Sequence, residues 1–353
     1  MDKILLETSL GEALDKLSIL EIKVEKIGDK RKEDCKKEYN ILYESLKQYI
    51  VQFPYHYRIL KEINLTIWNL QENIHKDKDL TNTYGQILKE NDRRFRLKKK
   101  INHISSSNLK EQKGYSKTKA FVYTHLGLGD HFWMNGAVRY LSTCYDEVMV
   151  VCKKNNELTV KSMYMDDPSI TFYMIDDDVQ LQPFTIKKYH LIDQGFDVYC
   201  CGYHTEKPNI YEFPHSFYDD MKIARSFRTT YFYVPTYVES IELYKKLDID
   251  YILIHQNSSQ KKVDLFNKLN DESILILDIN ENHYAKEDSY YSYAELVVNK
   301  PMLFYKDLIE HAKKIYCLES SFYCFASHLD LSNVEKKVCY LPYDNSASRL
   351  GVF

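Results

Sequence analysis

From residue 119 onward, short apolar segments alternate with amphipathic ones, and this alternation restricts the possible folds more than any other feature of the chain. Segments such as "KAFVYTHL", "DEVMVVCK", "DYILIHQ" and "SILILDI" are rich in β-branched and aromatic residues and predict strands. The continuous apolar run in "DEVMVVCK" is typical of a strand buried on both faces. We therefore predict an α/β fold built on parallel sheets, with helices between the strands.

The alternation is interrupted once, by an aromatic stretch without a clear pattern, and then restarts. This break predicts two Rossmann-like halves, residues 119–235 and 236–353. Further strands are predicted at "SITFYMI", "KYHLIDQ", "IYCLES" and "KKVCYLP". Ligands bind at the carboxyl ends of strands in such sheets, so the candidate ligand-facing ends are 124–130, 192–195, 255–259, 278–280 and 319–322.

Residues 1–105 predict helices and almost no strand. In "SLGEALDKLSILEIKVEKI", Ser9 and Glu12 have the spacing of a capping box, and Glu12 and Lys16 are spaced for a favourable pair. Three more amphipathic runs follow, "KKEYNILYESLKQYIVQF" ended by Pro54, "YRILKEINLTIWNLQENIHK" and "QILKENDRRFRLKKKIN". We expect an all-α hairpin or small bundle, joined to the α/β part by a polar linker over 106–118.

Composition excludes several classes of function. The formal net charge of −3 gives no basic field for nucleic acid, and no apolar run approaches the ~20 residues of a membrane helix. The N-terminus lacks the uninterrupted apolar core of a signal peptide. The eight cysteines include no CxxC pair, so we expect neither a zinc site nor a disulfide framework and assign the chain to the cytoplasm.

In the stretch "THLGLGDHFWMNGAVRYL", residues 124–141, two of the chain's ten glycines stand at Gly127 and Gly129 and are followed at once by Asp130. It lies between a predicted strand and a predicted helix, and glycine lets the backbone approach a bound group. The pattern is neither GxGxxG nor a P-loop. Asp130 either caps the helix or stands in a cleft as a general base. His131 and Asn135 are secondary cleft candidates.

A second strand-to-helix corner lies in "KKIYCLESSFYCFASHLDL", residues 313–331. Glu319 ends the strand, and Ser320, Ser321 and Phe322 open a helix whose N–H groups and hydroxyls suit a diphosphate. The simpler alternative is that serine only caps this helix.

The loop in "YILIHQNSSQKK", residues 251–262, supplies further candidates for binding the donor. The loop residues are His255, Ser258, Lys261 and Lys262, with a solvated turn as the alternative. We interpret "DDD" at 176–178 as a solvated loop rather than a metal site. Tyr218 and Lys222 have dehydrogenase-like spacing, but Tyr and Lys are too common here for it to count.

Together the two corners resemble those of GT-B-type glycosyltransferases, most closely the heptosyltransferase-like group. "GLGDHFWMNGAVRYL" is similar to that group's small–x–Gly–Asp loop, with Asp130 at the position of the catalytic Asp. "ESSFYCFAS" is similar to its Asp-(Thr/Ser)-Gly-x-x-His-x-Ala-Ala loop, with three departures at Glu319, Ser321 and Cys324. Fucosyltransferases of the same fold carry a comparable Ser-Ser-Phe turn.

The helical segment resembles a small helical family of unassigned function that occurs alone or fused to sugar-transfer enzymes. The residues that carry this resemblance are Asp15, Lys16, Glu21, Lys23, Asn64, Trp68 and Glu72. We interpret them as a salt-bridged helix interface rather than a catalytic site.

These resemblances imply an inverting, metal-independent glycosyltransferase without a cofactor. It would move a hexosyl, deoxyhexosyl or pentosyl group from a nucleotide sugar to a glycan or other hydroxyl acceptor, with Asp130 as general base. Gly127, Gly129 and the residues of the second corner and its neighbouring loop would bind the donor. The alternative is a non-catalytic scaffold that binds a nucleotide or glycan. In either case, residues 1–105 are a candidate surface for homo-oligomerisation.

Overall fold

The computed structural model describes residues 6–74, 79–109, 111–114, 117–177, 191–202, 212–259, 261–269 and 274–340. The chain begins with a bundle of helices: α1 (Leu10–Lys26), α2 (Arg31–Gln52), α3 (Pro54–Asn73) and α4 (Leu80–Ile104). Apolar residues on the inner faces of α1, α3 and α4, including Leu14, Ile59 and Ile101, are fully buried. The predicted helical bundle is therefore confirmed.

The start of α1 follows the sequence prediction in its cap and departs from it in its ion pairs. Ser9 Oγ accepts a hydrogen bond from the backbone N–H of Glu12 at 3.3 Å, as an N-cap should. The predicted pair of Glu12 with Lys16 is wrong. The Glu12 carboxylate binds Lys98 of α4, and Lys16 reaches Glu38 of α2 at 2.6 Å. Tertiary neighbours have replaced the local pair.

Polar residues join the helices of the bundle. Asn64 of α3 donates to Asp15 Oδ1 and to Ser18 Oγ of α1, both at 2.8 Å. Glu21 accepts from the Tyr57 hydroxyl at 2.7 Å and pairs with Lys61 at 2.9 Å. For these residues the interpretation as a helix interface is confirmed.

Two parallel four-stranded sheets follow. The strands are β1 (Lys119–Tyr123), β2 (Glu147–Lys153), β3 (Ile170–Ile175), β4 (Phe196–Cys200), β5 (Tyr251–His255), β6 (Leu275–Asp278), β7 (Lys314–Leu318) and β8 (Lys336–Tyr340). Their order is β3-β2-β1-β4 in the first sheet and β6-β5-β7-β8 in the second, with parallel pairing throughout. The predicted α/β fold with two Rossmann-like sheets is confirmed.

The strand predicted at "KYHLIDQ" is wrong. Its first residues, 188–190, lie outside the described part of the chain, and residues 191–193 are helical. The strand begins only at Phe196, after a turn in which Gly195 has φ +79°. The ligand-facing end is therefore at 200–202 and not at 192–195.

Helices cover the sheets. They are α5 (Leu128–Trp133), α6 (Asn135–Cys144), α7 (Glu157–Met163), α8 (Phe213–Asp220), α9 (Phe227–Thr230), α10 (Val238–Lys245), α11 (Leu265–Leu269), α12 (Tyr291–Val297), α13 (Lys306–His311) and α14 (Ser321–Ala326). One apolar core runs through both sheets and includes Val122, Val150, Leu253 and Ile315. None of the helices in the described ranges combines the length and apolar character that crossing a bilayer would require.

Candidate active site

Each sheet has one position where the chain changes direction across the strand order. From β1 the chain moves to β2 and β3 on one side and returns to β4 on the other. From β5 it likewise moves to β6 on one side and then to β7 on the other. Such positions leave a crevice outside the carboxyl ends of the strands, where ligands bind in open α/β sheets. The segments after β1, β5 and β7 are therefore the candidate ligand-binding segments.

The corner after β1 and the corner after β7 are in contact. A Cβ added to Gly129 would lie 2.8 Å from the Sγ of Cys324 and 3.7 Å from the Cα of Ser321. Further along the same two helices, Phe132 stacks on Phe325 with ring centroids 4.8 Å apart. Helices α5 and α14 therefore run side by side in the same direction, with their N-termini at one edge. Only a residue without a side chain permits this approach at position 129.

Asp130 lies half-buried in the first turn of α5. Its Oδ2 accepts a hydrogen bond from the backbone N–H of Gly127 at 3.0 Å, which is the capping contact foreseen as one alternative. A Cβ on Gly127 would stand 2.7 Å from that oxygen, so glycine there makes room for the carboxylate. Burial raises the pKa of the Cys324 thiol, and the negative charges of Asp130 and Glu319 raise it further. Both carboxylates thus lie near Cys324.

The second corner is built on Ser320 and His255. Ser320 Oγ donates to the carbonyl of Leu318 at 3.2 Å and lies 3.3 Å from Nδ1 of His255. The His255 ring stacks on Phe322 with centroids 5.2 Å apart. Burial lowers the pKa of His255 to about 4, so its ring is neutral at neutral pH. Burial also raises the pKa of Glu319.

The loop after β5 is closed by Ser258 and Lys261. The backbone N–H of Ser258 donates to the carbonyl of Lys261 at 2.9 Å, and the N–H of Lys261 donates to Ser258 Oγ at 3.1 Å. The Lys262 ammonium is exposed and lies 3.6 Å from Glu281. The loop follows His255, whose ring lies beside Ser320 and Phe322 of the second corner. Lys262 itself points toward the carboxylate of Glu281.

His131 and Asn135 are completely buried. Neither ring nitrogen of His131 has a hydrogen-bond partner among the described residues, and burial together with the positive charge of Lys153 lowers the pKa of His131 to about 4. Asn135 Oδ1 accepts from the backbone N–H of Tyr233 at 3.0 Å. The structure gives them no exposed surface, and their contact with an acceptor stays a prediction.

Sequence reasoning missed His125, which lies at the first direction change. Its Nε2 is 2.7 Å from the carbonyl oxygen of Gly202, which follows β4. Gly202 has φ +80°, and a Cβ there would come within 2.7 Å of the imidazole. The signal was present in the sequence, because His125 falls within the predicted strand end at 124–130.

A second missed group lies at the ends of β5 and β6. His283 Nε2 is 2.8 Å from Asp278 Oδ2 and 2.9 Å from Gln256 Nε2. Asp278 is buried, and burial raises its pKa. The sequence marked 278–280 as a strand end but did not single out His283, which lies five residues after Asp278. Gln256 joins these two side chains because β5 lies beside β6.

The acidic run at 176–178 is on the surface as far as it is described. Asp176 pairs with Lys154 at 2.7 Å and both side chains are largely exposed, whereas Asp178 lies outside the described residues. Across the ranges that the structure describes, no group of three or more His, Cys, Asp or Glu residues is arranged to hold a metal ion.

Comparisons with known proteins add a coarse likeness. No family model matches the chain, and no curated protein matches its sequence. Among solved structures it is similar to TibC, a bacterial iron-containing dodecameric glycosyltransferase from enterotoxigenic E. coli H10407, with a TM-score of 0.36 and 16% identity over 66% of this chain and 60% of TibC.

It is also similar to the dodecameric iron-containing heptosyltransferase TibC in complex with ADP-D-beta-D-heptose, with a TM-score of 0.37, 13% identity and the same coverage. This chain therefore matches about 60% of the length of that neighbour. Similarity at this level concerns the coarse fold and assigns a role to no residue.

Proposed function

We propose that the chain is a glycosyltransferase that uses a nucleotide-sugar donor. The observation that carries the proposal is the contact between Gly129 and Ser321, which sets a carboxylate corner beside a serine corner. Both corners lie outside strand ends at a change of direction, where α/β folds bind ligands. The TibC structures, one of them bound to a nucleotide sugar, agree with this class of chemistry.

Asp130 would act as the general base. Its carboxylate takes the proton of the acceptor hydroxyl while that oxygen attacks the anomeric carbon from the face opposite the diphosphate. The bond between the anomeric carbon and the diphosphate oxygen breaks, and a nucleoside diphosphate leaves with the bonding electrons. The configuration of the sugar is inverted in a single displacement.

The second corner would absorb the charge that develops on the leaving group. The N–H groups at the start of α14 and the hydroxyls of Ser320 and Ser321 are donors suited to phosphate oxygens. Lys261 and Lys262 would add positive charge from the loop after β5, with Lys262 turning away from Glu281. Gly127, His255, Ser258, Glu319 and Phe322 would shape the donor site, while His131 and Asn135 would support the acceptor side from beneath α5.

The test is turnover of nucleotide sugars. The protein is incubated with a panel of nucleotide sugars, with and without glycan acceptors, and released nucleoside diphosphate is measured. Asp130→Asn should lower transfer by ~10²–10⁴-fold, the range for loss of a general base. Its side-chain oxygen still accepts from the Gly127 N–H, so folding and nucleotide binding should persist.

Asp197→Asn is the matched control. Asp197 is exposed at the beginning of β4, the edge of the sheet opposite the corners, and bonds to the Tyr145 hydroxyl. Its variant should transfer at the normal rate. Near-normal transfer by Asp130→Asn would remove Asp130 as the base. Nucleotide-sugar binding without turnover by the unaltered protein would favour the scaffold, for which oligomerisation through residues 1–105 stays a prediction.

A further inference from the structure

Arg228 differs from the other arginines of the described residues in having no carboxylate partner. Those other arginines form these pairs: Arg31–Asp29, Arg58–Glu62, Arg93–Glu90, Arg94–Asp15, Arg96–Asp146, Arg139–Asp166 and Arg225–Asp219. No carboxylate of the described chain lies within 4 Å of the Arg228 guanidinium, and no described group hydrogen-bonds to its side chain. The exception calls for a physical explanation.

Arg228 lies against aromatic side chains of α5 and α14. Its guanidinium carbon lies 5.1 Å from the centroid of the Trp133 ring, a cation–π contact. Burial lowers the pKa of Arg228, and Tyr218 and Tyr323 are the ionisable groups that oppose this. Burial lowers the pKa of His328 to about 3, and the positive charge of Arg228 contributes. A partly buried cation among neutral groups is unfavourable unless an anion joins it.

The position of Arg228 connects it with the candidate active site. Trp133 lies one turn after Asp130 on α5, and Tyr323 lies on α14 two residues after Ser321. The centroids of the Trp133 and Tyr323 rings are 6.1 Å apart, and the rings meet edge to face. Arg228 therefore borders the contact between the two corners. Its own short helix is held firmly, because a Cβ at Gly136 would stand 2.2 Å from the carbonyl oxygen of Phe227.

We infer that Arg228 binds an anionic group, a phosphate or a carboxylate, on the acceptor substrate. The planar fork of a guanidinium matches the oxygen atoms of either oxyanion. The acceptor is favoured over the donor for two reasons: Arg228 belongs to the first half, and Trp133 lies a turn beyond the N-terminal edge where the diphosphate would bind. Naming the acceptor rests on the proposed function, whereas the anion site itself does not.

Trp133 provides a direct probe of this site. The chain has two tryptophans, and Trp68→Phe leaves Trp133 as the sole one. The indole N–H of Trp68 has no hydrogen-bond partner in the described ranges, so replacing it by phenylalanine breaks no hydrogen bond seen there. Inorganic phosphate, and separately acetate, is titrated into the Trp68→Phe protein at constant ionic strength while Trp133 fluorescence is recorded. We expect a saturable change with at least one of the two anions.

Three variants in the Trp68→Phe background decide the outcome. Arg228→Gln should abolish the saturable change, and Arg228→Lys, which keeps the charge without the fork, should bind about tenfold more weakly. Arg225→Gln, three residues earlier and paired with Asp219 and Glu212, should respond like the parent. The lysine variant keeps the test decisive if the glutamine variant fails to fold. Absence of any saturable change, or an unchanged response in the Arg228 variants, would overturn the inference.

The assay also separates this inference from the proposed function. An anion response that depends on Arg228, in a protein that turns over no nucleotide sugar, would keep the anion site and reject the transferase. Turnover of nucleotide sugars by a protein whose Trp133 fluorescence changes with neither anion would support the transferase and reject the anion site. Once an acceptor is found, forms with and without the anionic group should differ in KM for the parent and not for Arg228→Gln.

Discussion

The first α/β half makes two contacts that differ in whether their buried charges are paired. Against the helical bundle, at what we call the helix contact, Arg139 binds Asp166 through two 2.7 Å hydrogen bonds and Lys100 binds Asp167 at 2.6 Å. Against the second half, at what we call the crevice contact, Arg228 has no carboxylate partner among the described residues. The paired charges fit a structural role for the helix contact, whereas we propose that Arg228 at the crevice contact binds a ligand.

The helix contact joins side chains of α3 to the first α/β half. Nε2 of His56 in α3 lies 3.2 Å from Oδ2 of Asp166. The ring of Tyr55, also in α3, stacks on the Tyr233 ring with centroids 4.4 Å apart. Burial would raise the pKa of Asp166, but Arg139 and His56 outweigh it and hold that pKa well below its usual range. Among the described residues, Asp166 and Asp167 thus each have a cationic partner.

Breaking the helix contact should have the largest effect on stability. Arg139→Met would leave Asp166 buried without its bidentate partner, which should lower the free energy of unfolding by about 3–5 kcal/mol. Urea unfolding followed by circular dichroism measures the loss. Arg225→Met removes an exposed pair and should change little. Similar losses in the two variants would contradict the distinction between buried and exposed pairs.

Acid should act next, through the neutral histidines near the crevice contact. Burial lowers the pKa of His131 and of His255 to about 4, below the unfolded value of about 6.5. Between these values the unfolded chain binds more protons, so the stability due to each histidine is complete above pH 6.5 and falls as the pH drops toward 4. At pH 5 each should cost about 2 kcal/mol.

Unfolding in urea at pH 7.5 and pH 5 measures this loss. In His255→Asn, the loss of unfolding free energy between pH 7.5 and pH 5 should be about 2 kcal/mol smaller than in the parent protein. In His311→Asn, whose side chain is exposed on α13, the loss should equal that of the parent. Equal drops in His255→Asn and the parent protein would show that His255 is not held neutral.

A methyl group at the closest approach of the two corners should have a moderate effect. Gly129→Ala places a Cβ 2.8 Å from Cys324 Sγ and should cost about 1 kcal/mol, the lower end for overpacking. Cys324→Ala removes the obstructing sulfur, so the double variant should recover most of that cost. Strictly additive losses in the double-mutant cycle would mean that the corners do not touch.

Arg228→Gln should have the smallest effect on stability. It removes a partly buried charge that has no carboxylate partner in the described part of the chain, so the free energy of unfolding should change by less than about 0.5 kcal/mol or rise slightly. The same urea experiment provides the comparison with Arg139→Met. A loss as large as that of Arg139→Met would show that Arg228 is paired in the folded protein and would erase the contrast.

Much of the fold was predictable because its signals are local. The strands β1, β2, β5, β6 and β7 are short apolar runs, and Ser9 caps α1 as its spacing indicates. Strand β4 was missed because its boundary depends on a turn at Gly195 and on alignment with β1. The ion pairs of Glu12 and Lys16 were missed because distant helices supply their partners.

The candidate site shows the same division. The two corners were identifiable because glycine and serine before a helix have a local meaning: close approach, positive φ or capping. His283 beside Gln256 and His125 beside Gly202 depend on strands that pair within a sheet. Spacing along the chain gave no way to join them.

The sequence by itself determined the kinds of element, the parallel sheets and the strand-to-helix corners at the ends of β1 and β7, because propensity, periodicity and turn chemistry act over a few neighbouring residues. Only the tertiary structure decided that Gly129 meets Ser321, that Arg139 finds Asp166, and that Arg228 finds no carboxylate among the described residues. Charge pairing and close packing depend on distances between residues far apart in the chain, and those distances exist only once the sheets and helices have packed.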